Sequence, residues 1–107
     1  AHIGVNAADA DESLSVCQAL DAAFGFGVKE GNSSNFAGSC VEVMKSPYLG
    51  KNGHIAVKTN SIPRAAAALR KSGFTLDEST TKYKGKEIVA IYLKQNFGGF
   101  AVHLLQK

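Results

Sequence analysis

Residues 2–6 read His-Ile-Gly-Val-Asn and residues 53–60 read Gly-His-Ile-Ala-Val-Lys-Thr-Asn, and these two stretches decide the fold because they are one phrase written twice. Each opens on a histidine and continues as an alternation of apolar with small or polar residues, the pattern of a half-buried strand. His2 and His54 stand 54 − 2 = 52 residues apart. Self-similarity at a fixed period marks a duplicated unit whose copies bury a common core.

The material after each phrase matches as well. The first is followed by Asp9 and Asp11, either able to cap a helix, then by ESLSVCQALDAAF, with Leu14, Cys17, Leu20 and Phe24 as an apolar stripe at helical spacing. The second is followed by Asn60 and Ser61 as caps, Pro63 in the first turn, RAAAALRKSGF, and Gly73 as the stop. Strand-like runs come next: 27–30, 34–37 and 40–44 in the first half; 74–76, 80–83, 87–94 and 100–105 in the second. Gly31, Asn32, Gly38, Lys84-Gly85 and Asn96-Phe97-Gly98-Gly99 serve as turns between them. The expected fold is α+β: two βαβββ modules (1–45 and 53–107), joined by the linker 46–52, forming one curved mixed sheet with helices outside. At about fifty residues neither module is large enough to stand alone, so 1–107 is read as a single domain.

Composition excludes several classes. Of 107 residues 45% are hydrophobic and 20% charged, which is globular rather than disordered, and no apolar run is long enough to span a membrane. The net charge is +3, but Lys82, Lys84 and Lys86 alternate as a solvated strand edge would, and no aromatic ladder accompanies them, so no nucleic-acid surface is expected. Cys17 and Cys40 lack metal or redox spacing and are read as small buried groups in a reducing cytoplasm. The start at Ala1 without methionine suits a piece cut from a longer chain, and no export leader is expected.

All three histidines fall at matched places in the repeat. His2 and His54 open the halves, and His103 stands where Glu42 stands in the first half. Strand parity puts Cys40, Glu42 and Met44 on one face and Val41 and Val43 on the other. It likewise opposes His103 and Leu105 to Val102 and Leu104. The same parity sets His2 and Asn6 against Ile3 and Val5, and His54 and Lys58 against Ile55 and Val57. Pseudo-twofold symmetry then turns His2, Glu42, His54 and His103 into one cleft. Imidazole nitrogen and carboxylate oxygen ligate Zn2+, Ni2+, Co2+, Mn2+ and Fe2+, and a divalent metal relieves a carboxylate buried beside neutral imidazoles. The metal is therefore assigned to His2, Glu42, His54 and His103. Asn6, Met44, Lys58, Leu105 and Tyr92 (or Lys94) would line the space beside it, with Lys58 available to a carboxylate or phosphate. The alternative is a metal-free pocket whose matched residues serve packing.

The repeated unit, the H-I-x-V openings and the ligand in each closing strand resemble the vicinal oxygen chelate superfamily, which includes glyoxalase I, methylmalonyl-CoA epimerase and extradiol dioxygenases. The resemblance implies a metal that chelates neighbouring oxygens of a small keto- or hydroxy-acid-like molecule, Glu42 and His103 as catalytic groups, and a homodimer. It also implies a metal-dependent lyase or isomerase, against which stands a non-catalytic binding or oligomerisation module. His103 departs from the glutamate of glyoxalase-type enzymes. The runs GNSSNFAGSCVEVMKSPYLGKNGHIAVKTN and AIYLKQNFGGFAVHLLQK look like a domain at the C-terminus of bifunctional 4-hydroxy-2-oxoglutarate/2-dehydro-3-deoxyphosphogluconate aldolases. That likeness implies an aldolase barrel in a parent chain; 107 residues are too few to contain the barrel.

Overall fold

A computed structural model describes all residues, 1–107, and shows the repeat as two structurally matched halves. The first half runs β1 (His2–Asn6), α1 (Ala10–Phe24), β2 (Val28–Glu30), β3 (Ser34–Ala37), β4 (Val41–Met44). The second runs β5 (Gly53–Thr59), α2 (Ile62–Lys71), β6 (Leu76–Lys84), β7 (Glu87–Phe97), β8 (Phe100–Gln106). The eight strands make one mixed sheet in the order β2-β3-β4-β1-β5-β8-β7-β6. The order reads the same for both halves outward from the β1–β5 seam. Across that antiparallel seam His2 faces Ala56 and Gly4 faces His54, a register symmetric under the 52-residue repeat. Each opening strand pairs in parallel with the closing strand of its own half, which sets Gly4 beside Glu42 and Ala56 beside His103.

Local chemistry accounts for the helices. Asp9 caps α1 by accepting from the Glu12 amide at 2.8 Å, and Glu12 accepts in return from the Ala8 amide. Ser61 caps α2 by accepting from the Arg64 amide, and Arg70 and Lys71 sit in the last turn, where the helix dipole favours cations. Helix α1 covers β2, β3 and β4, and α2 covers β7 and β8. Two apolar clusters result, one around Ala7, Cys17, Ala37 and Val43, the other around Ile62, Ala66, Leu76, Ile91, Leu93 and Leu104.

Several expectations need correction. The buried face of α1 is Ser13 and Cys17 with Val16 and Leu20 alongside, while Phe24 is exposed and stacks on Phe26. Ser13 is buried because its hydroxyl donates to the Val43 carbonyl at 2.7 Å and accepts from the Asn35 amide. Leu76 and the run 80–83 belong to one strand, β6, with Phe74 and Thr75 ahead of it, and its pairing with β7 shifts register between Asp77 and Lys82. Ile3 and Val57 lie on the helix side of the sheet yet are exposed, since α1 packs chiefly on β2, β3 and β4 and α2 on β7 and β8, and Val5 is the β1 residue that joins the cluster under α1. Cys40 precedes β4 in an exposed turn; only Cys17 is buried.

Candidate metal centre

The seam brings distant residues together. His2 Nε2 and His54 Nε2 lie 3.1 Å apart, and Glu42 Oε1 lies 3.2 Å from each. The three donor atoms form a nearly equilateral triangle. Donors bonded to one divalent ion at about 2.1 Å stand roughly 3.0–3.4 Å from one another in octahedral to tetrahedral geometry. The triangle therefore has the spacing of one face of a coordination shell. His103 extends the group: it joins His2 and His54 in a set whose ligand atoms all lie within 4.8 Å of one another, though no contact of its own with Glu42 is as short as theirs. The tight face is thus His2, His54 and Glu42, and the His103 ring lies beside it, 5.2 Å from the His54 ring and 5.9 Å from the His2 ring between centroids.

Packing holds these side chains. A Cβ built on Gly4 would overlap the His54 ring at Cε1, Nδ1 and Nε2, so the imidazole occupies space that only glycine leaves free. Ser34, buried on β3, donates to Glu42 Oε2 at 2.7 Å, which leaves Oε1 directed at the imidazoles. His103 stacks on Tyr92 with centroids 4.5 Å apart and planes within 12°, because the two stand directly opposite on β8 and β7. Tyr48, from the linker, packs edge-on against Tyr92.

The electrostatics follow. The hydrogen bond from His54 holds the Glu42 carboxyl down at about 2, against the opposing effect of burial and with help from Ser34 and the charge of His2. Burial lowers His2, and it lowers His103 to about 4, so both imidazoles are neutral at pH 7, the form that ligates metals. Burial, with the Tyr48 and Glu42 charges, raises Tyr92 to about 12. His54 Nδ1 and both ring nitrogens of His103 are buried without a hydrogen-bond partner. An unsatisfied buried polar atom costs about 1–3 kcal/mol, and a metal at His103 would remove one such cost. Neutral nitrogen donors, one ionised carboxylate and orphaned imidazole atoms together fit a divalent ion.

The remaining expected site residues divide. Tyr92, Lys58 and Leu105 line a cavity of about 330 Å³ that has His103 in its wall. Lys94 is exposed and not among its lining residues. Asn6 serves the linker instead: its amide donates to the Gly50 carbonyl at 2.9 Å and its oxygen accepts from the Tyr48 amide. Met44 stands opposite Ser34 and is likewise outside that cavity. Sequence reasoning missed Gly4, Ser34, Tyr48 and Lys82. For Gly4 alone a signal existed, since it is glycine in HIGV where the second copy has Ala56.

The fold has counterparts among solved structures. Over 99% of this chain and 92% of the other, it superposes on a methylmalonyl-CoA epimerase in complex with methylmalonyl-CoA and NH4+, with TM-score 0.62 and 18% identity. A variant of the Streptomyces coelicolor methylmalonyl-CoA epimerase in complex with 2-nitronate-propionyl-CoA gives TM-score 0.63 at 19% identity over the same shares. The chain has the methylmalonyl-CoA epimerase fold. A hypothetical protein from Bacillus halodurans also shares it, with TM-score 0.56, 14% identity, and 99% and 91% coverage. No family model and no curated protein matches the chain. The α+β architecture of two βαβββ modules in one mixed sheet, expected from the repeat, is the observed one. At these identities the likeness concerns the fold, and the case for a metal rests on this chain's own side chains.

Proposed function

We propose that this domain binds one divalent metal through His2, His54 and Glu42, with His103 as a further ligand, and that it acts on a small molecule bearing two neighbouring oxygens. The observation that carries the reading is the 3.1–3.2 Å triangle of donor atoms. The fold shared with an epimerase that binds a CoA ester agrees with a small-molecule site. A divalent ion there supplies Lewis-acid polarisation of adjacent oxygens. The chain supplies the rest. Ser34 fixes one Glu42 oxygen, so the carboxylate presents the other in a single orientation. Tyr92 and Tyr48 wall off one side of His103. Glu42 or His103, on leaving the metal, is the group that takes and returns a proton.

A second reading has its own support. With Glu42 near 2 and His103 near 4, neither is matched to proton transfer at neutral pH, which favours a non-catalytic binding or oligomerisation module. Two experiments separate the readings. Calorimetric titration of metal-stripped, untagged protein with Zn2+, Ni2+, Co2+, Mn2+ and Fe2+ tests the metal. NMR in D2O of the metal-loaded protein with 2-oxo acids tests proton exchange next to the carbonyl. Binding with exchange supports the enzyme, binding without exchange supports the module, and no binding removes both the site and the chemistry. We further propose that the chain pairs as a homodimer in the cytoplasm and belongs to a longer protein carrying an aldolase barrel. The first rests on the exposed apolar strip at Ile3 and Val57, the second on the sequence likeness alone.

A further inference from the structure

One row of residues two positions along the sheet from His103 is unaccounted for by the metal. Lys58 on β5 faces Leu105 on β8, Leu105 faces Ala90 on β7, and Ala90 faces Lys82 on β6. The neighbouring row is Ala56, His103 and Tyr92. Both rows contribute to the cavity of about 330 Å³ beside His103. Ala90 is buried and carries only a methyl group, which leaves a hollow between Leu105 and Lys82. Lys58 and Lys82 therefore stand at opposite rims over an apolar floor, and no Asp or Glu lines the space. Neither ammonium forms an ion pair, and neither donates a hydrogen bond within the chain. Both lysines are exposed and stand three strand spacings apart, about 14 Å, so solvent screens their mutual repulsion; what they offer the hollow is two unpaired ammonium groups reaching toward it from opposite sides.

We propose that this hollow is the seat of a second anionic group, carboxylate or phosphate, on a small oxo- or hydroxy-acid whose neighbouring oxygens occupy the metal centre. Lys58 and Lys82 bind that group, and His103 is the wall shared by the two subsites. The row of Lys58 lies two residues, about 6.6 Å, beyond the row of His103 and four residues, about 13 Å, beyond His54 on β5, which brackets the span the ligand must bridge between the metal centre and the anion seat. The assignment deepens the metal-binding reading and rests on it for the position of the vicinal oxygens.

The test is calorimetric titration, since the chain has no tryptophan to report binding. Zn2+-loaded protein is titrated with 2-oxoglutarate, with 2-oxo-4-phosphonobutanoate, and with 2-oxopentanoate, which keeps the 2-oxo-acid head but has a neutral tail. The two charged probes should bind at least tenfold more tightly than the neutral one, and whichever of them binds better identifies the anion. Lys58→Met and Lys82→Met should each weaken the charged probes at least about threefold, as expected for partly exposed charge pairs, and leave 2-oxopentanoate unchanged. Ala90→Leu should fill the hollow and abolish the preference with both lysines present. Equal affinity for charged and neutral probes, or lysine variants with unchanged affinity, would overturn the proposal. The series is repeated with glutarate on metal-free protein. Failure to bind Zn2+ with glutarate binding lost in the lysine variants would sink the metal reading and keep the anion seat. Zn2+ binding without any tail preference would do the reverse.

Discussion

Replacing Gly4 with alanine should damage the metal centre far more than it damages the fold. The new Cβ lands on the His54 ring, and the ring is the only part able to yield, because Gly4 lies in the β1–β5 ladder with Glu42 on its other side. His54 is buried, so it must swing to another rotamer and withdraw Nε2 from the His2–Glu42 pair. Structural zinc binding is worth about 10–16 kcal/mol over four ligands, roughly 3 kcal/mol each, so loss of one ligand should weaken affinity on the order of 100-fold. The overpacking itself should cost about 1–3 kcal/mol of stability. Competition with a chelator of known affinity reads the first quantity, and thermal unfolding of metal-free protein reads the second. Ala56→Gly, the same exchange reversed in the second half, is the control and should leave affinity within about threefold, since the alanine methyl is already accommodated between His2 and His103 and its removal displaces no ligand. A folded Gly4→Ala variant that holds Zn2+ as tightly as the parent would refute the claim that glycine makes room for a ligand.

Other consequences are simpler. Ser34→Ala should free the second Glu42 oxygen, raise the carboxyl from about 2 toward its ordinary value, and weaken metal binding about tenfold, as read by carboxyl NMR titration and calorimetry. In metal-free protein, burial holds His103 at about 4 against an ordinary 6.5. The unfolded chain then takes up the proton first as acid is added. The contribution is intact above pH 6.5 and is lost as pH falls through 4, on the order of 2–3 kcal/mol. Denaturant unfolding across that window should be visibly flatter in His103→Gln; an identical slope would contradict the burial argument. Val43→Ala should cost about 2–3 kcal/mol by removing fully buried methyl groups under α1, read as a lowered thermal midpoint with the metal site spectroscopically unchanged.

The architecture was legible because duplication and strand parity are one-dimensional signals. The H-I-x-V openings fixed β1 and β5, and matching the halves paired Glu42 with His103 before any distance was known. What escaped depends on neighbours that sequence spacing does not specify. Ser34 reaches Glu42 across a strand pair whose register follows from the turn at 38–40. Asn6 shares a face with His2, yet its amide is consumed by the linker backbone, a contact 44 residues away in sequence. Phe24 fits the helical stripe but lies past the end of the sheet that α1 covers, so it pairs with Phe26 in solvent. Ile3 and Val57 obey strand parity and remain exposed because two short helices cannot cover eight strands. Lys82 became visible only when the register shift in β6 aligned it with Ala90 and Lys58.

The convergence of His2, His54 and Glu42 on a single ion is the claim on which the functional reading stands, and X-ray absorption at the metal edge reaches it most directly. Untagged protein, metal-stripped and then dialysed against Zn2+, should retain one ion per chain. Its first shell should contain only nitrogen and oxygen at about 2.0–2.2 Å, with outer-shell scattering from at least two imidazoles. A chain that retains no ion, or one whose spectrum shows sulfur from Cys40 at about 2.3 Å in place of the imidazoles, would contradict it.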